Sequence, residues 1–218
     1  MLALLLVASL GAQAAQQANQ RYQTTEGRAQ IAGNLGGPDR PGRQRPNELI
    51  ATLAIRPGST VCDLGTGVGF MLPYLEKAAG PKGKVIAQDI FPDFLAKAKA
   101  RAEAEKLQHV TFIQGSDRDP KLPADSCDLV LILDAYHHFD YPGQMLAGIR
   151  QSLKKNGRLA LVDYYKRPGA MGSNTDAVAH IRLDIDDVIK EVESNGFKST
   201  TRGEHLPKSQ YYVLFERK

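Results

Sequence analysis

Three glycines at alternate positions, led by an aspartate, constrain this chain more than any other feature. Thr-Val-Cys-Asp-Leu-Gly-Thr-Gly-Val-Gly-Phe, residues 60–70, sets Asp63, Gly65, Gly67 and Gly69 in a D-x-G-x-G-x-G pattern behind a short β-branched segment. The pattern predicts a strand, a sharp glycine turn around Thr66, and the start of a helix. Such a turn brings bare backbone close to a nucleotide-like ligand. A second carboxylate, Asp89, lies twenty residues after Gly69, at the end of another predicted strand, 84–88. An acid at that place, with Ile90 beside it, accepts hydrogen bonds from ribose hydroxyls.

Two features separate this turn from the dinucleotide G-x-G-x-x-G. The spacing is G-x-G-x-G, and an acid stands two residues before the first glycine. A carboxylate repels a pyrophosphate and attracts a ligand carrying an ammonium and a sulfonium. The physics therefore favours S-adenosylmethionine (SAM) over NAD. On these residues the sequence resembles the class I SAM-dependent methyltransferases. The glycine run is similar to their first motif and Asp89 to their ribose acid, and the resemblance covers about residues 45–218.

In open α/β sheets ligands sit outside the carboxyl ends of the strands, at the switch point. The residues after each strand therefore matter most. After the third, 110–114, comes Gly115-Ser116-Asp117. The family has a Gly-Asp pair here whose acid contacts the adenine amino group. This chain has Ser116 where that acid falls and Asp117 one later, so both are candidate contacts. After the fourth strand, 128–133, comes Asp134-Ala135-Tyr136-His137-His138-Phe139. The segment matches the family's fourth motif in position. It resembles the Asp-x-Tyr-His signature of a bacterial subgroup related to the quinone-biosynthesis methyltransferases. The resemblance implies that Asp134 contacts the cofactor and that Tyr136, His137 and His138 face the sulfonium methyl and the acceptor. Alignment supplies much of the rate of such a transfer. A protonated acceptor also needs a base, for which histidine has a suitable pKa; which of the two serves stays open. His109 receives no role, and His180 is read as structural.

The net charge is +4. Much of the basic excess lies in Arg40, Arg43 and Arg45, which does not by itself argue for nucleic acid. No Asn-Pro-Pro-Tyr follows strand four and there is no Pro-Cys pair, which disfavours exocyclic-amine and cysteine-nucleophile mechanisms. Two cysteines without a C-x-x-C indicate neither a zinc site nor a disulfide framework. Cys62 and Cys127 are expected as buried free thiols. Tyr164 stands where metal-dependent catechol-type enzymes pair an Asn with an Asp, so no Mg²⁺ or Ca²⁺ site is expected from Asp134 and Asp163.

Residues 1–20 carry no charged side chain, and the apolar run 2–10 precedes Ala12-Gln13-Ala14. This is the pattern of a secretory signal peptide, although no Lys or Arg precedes the apolar run. An uncleaved tail and a misassigned start codon are the alternatives. Export to the periplasm or medium is expected if the signal is true, and a cytoplasmic location otherwise. The run is shorter than the ~20 apolar residues of a permanent span.

Residues 21–45, rich in Gly and Pro, read as a flexible segment or lid. From Pro46 onward strands and helices alternate: helices 46–55, 68–79 (delayed or kinked by Pro73), 92–107, one from Pro142 that carries Met145, Ile149 and Leu153, and one capped by Asp184. A fifth strand is expected at 158–163, and two more at 197–201 and 210–215. The expected fold is a doubly wound, Rossmann-like α/β domain over 46–218, with a mostly parallel seven-stranded sheet and a C-terminal antiparallel hairpin strand. The expected activity is methyl transfer from SAM to a small organic acceptor, with no specific nucleic-acid partner. The alternatives are an RNA methyltransferase using the three arginines against phosphates, and a SAM-binding protein without catalysis.

Overall fold

The computed structural model describes residues 15–218. The apolar run and the Ala-Gln-Ala signal lie outside the described residues. Seven strands form one sheet: β1 (Thr60–Leu64), β2 (Lys84–Asp89), β3 (Val110–Gln114), β4 (Cys127–Leu133), β5 (Leu153–Tyr164), β6 (Phe197–Leu206) and β7 (Gln210–Arg217). Their order is β3-β2-β1-β4-β5-β7-β6. The first five run parallel, and β7 lies antiparallel to both β5 and β6. The order reverses between β1 and β4, which is the switch point of a doubly wound sheet.

β4 shows why a continuous apolar run is needed there. Val130 and Ile132 pack on one face, with Met145, Ile149, Val188 and Val192 from the helices Pro142–Ser152 and Ile185–Ser194. Leu129, Leu131 and Leu133 pack on the other, with Leu49, Leu53, Leu72 and Leu75 from the helices Pro46–Leu53 and Leu72–Ala79. A strand covered on both faces has no polar side to alternate with. The helix Ile185–Ser194 starts where expected, with the Asp184 side chain accepting from the Ile185 N–H.

Several expectations are corrected. Cys62 and Cys127 are not free thiols: they form a disulfide, with Cα atoms 6.2 Å apart and both side chains buried. Their strands are parallel neighbours and both side chains fall on the same face of the sheet. Sixty-five residues of chain separate them, so no local pattern announces the pair. Residues 21–45 are not an unstructured loop. A 3-10 turn, Gln20–Gln23, leads into the helices Thr25–Leu35 and Arg40–Gln44. Thr24 caps the first by accepting from the Gly27 N–H, a side chain well suited to a helix N-cap. The helix after β1 begins at Leu72, delayed rather than kinked by Pro73, which is tolerated in a first turn. Leu153 starts β5 rather than ending the preceding helix, and both C-terminal strands run longer than expected. At the end of the helix Pro92–Ala104, Arg101 forms an ion pair with Glu105 at 3.7 Å.

Candidate active site

A cavity of about 320 Å³ opens at the carboxyl ends of the first four strands. After β1, Gly65, Thr66 and Gly67 form its floor; after β2 come Asp89 and Ile90; after β3, Ser116 and Asp117; after β4, Asp134, Ala135 and His138. The glycine turn works as its sequence implies. Gly67 has φ +56°, a left-handed conformation that side chains disfavour. Its N–H donates to Asp89 Oδ2 at 2.8 Å, while Asp89 Oδ1 accepts from the Phe91 N–H at 3.0 Å. Asp89 is thereby held with its carboxylate at the cavity wall, and burial pushes its pKa up to about 6.

Two of the expected cofactor residues do not line the cavity. Asp63 lies beneath the turn, where its carboxylate accepts from the Thr66 hydroxyl at 2.7 Å. Burial raises it to about 6, against the pull of that hydrogen bond and of Arg40. Gly69, at φ +76°, serves packing instead: a Cβ there would stand 2.8 Å from Leu72 and 3.1 Å from Ala98. Ser116 does line the cavity, its oxygen accepting from the backbone of Arg118 and Asp119.

Asp134 sits at the end of β4 in a left-handed conformation, φ +55°. Strain of this kind collects at functional sites, and Asp is among the residues that tolerate it. Gln210 Nε2 donates to its carboxylate at 2.7 Å, and Arg40 stands 3.8 Å away. Burial still pushes Asp134 up to about 7. Arg40 is itself buried, with its guanidinium 4.6 Å from the Phe70 ring and donating to the Leu35 carbonyl. Arg43 pairs with Asp39 and Arg45 with Glu48. The three arginines do not form the phosphate-facing stripe that the alternative reading expected.

The histidines divide between two environments. His137 is 4% exposed, and its Nδ1 lies 2.7 Å from Asp163 Oδ1. Its backbone N–H donates to the other Asp163 oxygen at 3.0 Å. His138 lines the cavity and is clasped by Asn19: its Nδ1 lies 2.9 Å from Asn19 Oδ1, and Asn19 Nδ2 donates to its carbonyl at 2.9 Å. Burial holds both imidazoles well below their ordinary pKa, in the neutral form. His180 stands beside them, its ring centroid 5.2 Å from that of His137. Tyr136 departs from its expected role. Its hydroxyl donates to Glu191 at 2.5 Å, Glu191 pairs with Arg182, and the ring is part of the core rather than of the cavity lining.

The segment expected as a lid, 21–45, does lie against the cavity, but sequence reasoning did not single out the side chains that meet it. Asn19, Tyr22, Gln23, Leu35 and Arg40, all from the N-terminal segment, complete its lining. The Tyr22 ring stacks on Phe91 at 5.6 Å and meets His138 edge-on at 4.9 Å. Only the aromatic character of Tyr22 amid polar residues signals this contact.

A cavity with Asp89 and Asp134 at its wall and Asp63 beneath it fits a ligand carrying positive charge. Gln88 lines the cavity as well, with its Nε2 buried without a partner against Gly115. Carboxylates at the wall for the sulfonium, ammonium and ribose hydroxyls make the residues present a fit for SAM.

Residues 62–161 match the Methyltransf_11 family, described as a methyltransferase domain. A SAM-dependent methyltransferase from Aquifex aeolicus superposes with a TM-score of 0.78 at 25% identity, over 85% of this chain and 96% of that one. Erythromycin 3''-O-methyltransferase of Saccharopolyspora erythraea is 29% identical over 68% of this chain and 51% of its own length. The ubiquinone/menaquinone biosynthesis C-methyltransferase of Burkholderia mallei is 26% identical over 54% of this chain and 48% of its own length. The chain thus spans about half the length of these two curated relatives.

Proposed function

Because this chain belongs to the class I SAM-dependent methyltransferases, we propose that it moves the methyl group of SAM to a small organic acceptor by direct displacement. The observation that carries the reading is the continuity of one cavity from the glycine turn and Asp89 to His138. A cofactor and an acceptor are thereby served by neighbouring walls. When bound, SAM supplies an electrophilic methyl on a sulfonium.

The chain's own residues do the rest. Asp89 accepts from the ribose hydroxyls, with Ile90 packing beside it. Ser116 and Asp117 take the adenine edge. The Gly65-Thr66-Gly67 turn, whose N–H groups donate to the Gln88 carbonyl and to Asp89, offers bare backbone against which the amino-acid end packs. Asp63 acts through Thr66, bracing the turn from below. Asp134, fixed by Gln210 and Arg40, orients the centre of the site. Tyr22 and the helices that follow it cover the cavity and exclude water. His138, which lines the cavity, presents a neutral imidazole at the acceptor end, with His137 buried directly behind it, where a hydroxyl, amine or thiol must be oriented and lose its proton.

Relatives named as an erythromycin 3''-O-methyltransferase and a ubiquinone/menaquinone biosynthesis C-methyltransferase support a small acceptor. The arginine arrangement gives no support to RNA. The experiment is incubation with methyl-labelled SAM and, in parallel, a metabolite extract or total RNA. Label should enter the small-molecule fraction, with salt-sensitive and negligible label on RNA. Label confined to RNA would overturn the acceptor class.

A further inference from the structure

Ring nitrogens of His137, His138 and His180 lie within 4.8 Å of one another. Forty-two residues separate the last two in sequence, so the cluster is a product of the fold. His137 has one ring nitrogen committed; His138 has one committed and the other 3.5 Å from the Tyr22 hydroxyl, a long contact that a bound ion would displace. His137 Nδ1 faces the Asp163 carboxylate, and His138 Nδ1 faces the Asn19 side-chain oxygen. Both partners are acceptors, so both Nδ1 atoms carry the proton and both Nε2 atoms carry a lone pair. A carboxylate or amide oxygen behind a ligating imidazole is the usual support of a metal site, because it fixes tautomer and ring orientation.

The second observation is independent of the clustering. His137 Nε2 is buried and has no hydrogen-bond partner, on a side chain only 3% exposed. A buried acceptor without a partner costs on the order of 1–3 kcal/mol, and structures rarely tolerate one without a use. The neighbours that nitrogen does have are the rings of His138, 4.0 Å away between centroids, and His180, 5.2 Å away. Neither ring donates a hydrogen bond to it.

We propose that His137, His138 and His180 bind a divalent first-row transition-metal ion at the acceptor end of the cavity. Three imidazoles suit zinc, iron, cobalt or nickel, whereas calcium and magnesium demand oxygen ligands. Zinc–imidazole bonds are ~2.0–2.1 Å long, so binding draws the three nitrogens closer than the 4.8 Å within which they lie here. Three protein ligands leave an open position, the pattern of a reactive rather than a structural site. Of the three, His138 lines the cavity, which sets the ion beside the acceptor end. Asp163, buried behind His137, gains a compensating positive charge through the imidazole. The inference deepens the proposed reading of this site: the histidines would orient the acceptor through the ion rather than as free bases. It reverses the sequence expectation of no metal, which tested only oxygen-ligand and cysteine patterns.

The test uses untagged full-length protein, stripped with a chelator and titrated with Zn²⁺ by calorimetry and with Co²⁺ by absorption. One equivalent should bind, with cobalt d–d bands in the visible. His180→Ala should weaken zinc at least 100-fold, and Asp163→Asn 10–100-fold, the order seen for supporting residues. S-adenosylhomocysteine affinity, measured on the same samples, should stay within a few-fold. Loss of that affinity in the wild type would count against the methyltransferase reading and not against the ion. Zinc binding that is absent, or that is equal in wild type and in both variants while all are folded by circular dichroism, overturns the proposal.

Discussion

The phenolic oxygen of Tyr22 stands 3.5 Å from Nε2 of His138, across 116 residues of sequence. This contact joins the N-terminal cover to the loop after β4. It makes closing the cavity and setting the acceptor end one structural event. Burial also pushes the Tyr22 hydroxyl up to about 12, so it stays a donor.

The cover should therefore respond to ligand. Limited proteolysis within 20–45 is expected to slow when SAM or S-adenosylhomocysteine is bound. Tyr22→Ala, which removes the stacking on Phe91 and the edge contact with His138, should abolish most of that protection. Equal cleavage rates with and without ligand in the wild type would show that the segment is a fixed wall.

Asp89→Ala removes the acid that holds Gly67 and faces the ribose. Calorimetry should show SAM binding weakened by about 1–3 kcal/mol, the cost of a lost hydrogen bond to a charged group. NAD should bind more weakly than SAM to the wild type, since a pyrophosphate would meet the Asp89 and Asp134 carboxylates. Tighter binding of NAD would contradict the assignment of the turn.

The buried acids predict a pH dependence. Asp63 and Asp89 are raised to about 6 by burial, above an unfolded value of about 3.9. Folding therefore takes up protons at these sites. Their contribution to stability is fully present below about pH 4 and is lost as pH rises through about 6. The ligand-free Tm should fall over that window relative to Asp89→Asn. SAM, a sulfonium, should offset the fall more than neutral-sulfur S-adenosylhomocysteine does. Parallel Tm profiles for the two ligands would argue against an electrostatic role for the acids.

Removal of the disulfide bears on stability rather than chemistry. The bond closes a loop of 65 residues between neighbouring strands. Cys127→Ala with Cys62→Ala should cost about 2–4 kcal/mol by loop entropy, read as a drop in the denaturant midpoint. An unchanged midpoint would mean that the strand pairing alone restricts the unfolded chain.

The sequence disclosed what is local. The glycine turn, Asp89, the buried run of β4 and the Asp184 cap are all written in adjacent residues, and the order of elements follows from them. What escaped notice depends on distant chain meeting in space. Cys62 meets Cys127 only because β1 and β4 are neighbours. Arg40 reads as surface charge until Asp134 and Phe70 enclose it. Tyr136 sits inside the loop motif, yet its ring belongs to the core through Glu191 and Arg182. Residues 21–45 read as a loop because their glycines and prolines outweigh a helix signal that packing against Phe91 and Phe94 completes.

The histidine pair should be separable from cofactor binding. His137→Ala and His138→Ala are each expected to keep SAM affinity within a few-fold, and at least one should lower kcat by about 10²–10⁴. Both retaining wild-type kcat would leave catalysis to alignment by Asp134 alone.

The most direct measurement is release of S-adenosylhomocysteine from methyl-labelled SAM in the presence of a fractionated metabolite extract. The wild-type protein should release it in step with label appearing in one small-molecule product, and Asp89→Ala should do so much more slowly at the same limiting SAM concentration. Tight SAM binding with neither S-adenosylhomocysteine nor labelled product, across every fraction, would contradict methyl transfer and identify a protein that only binds the cofactor.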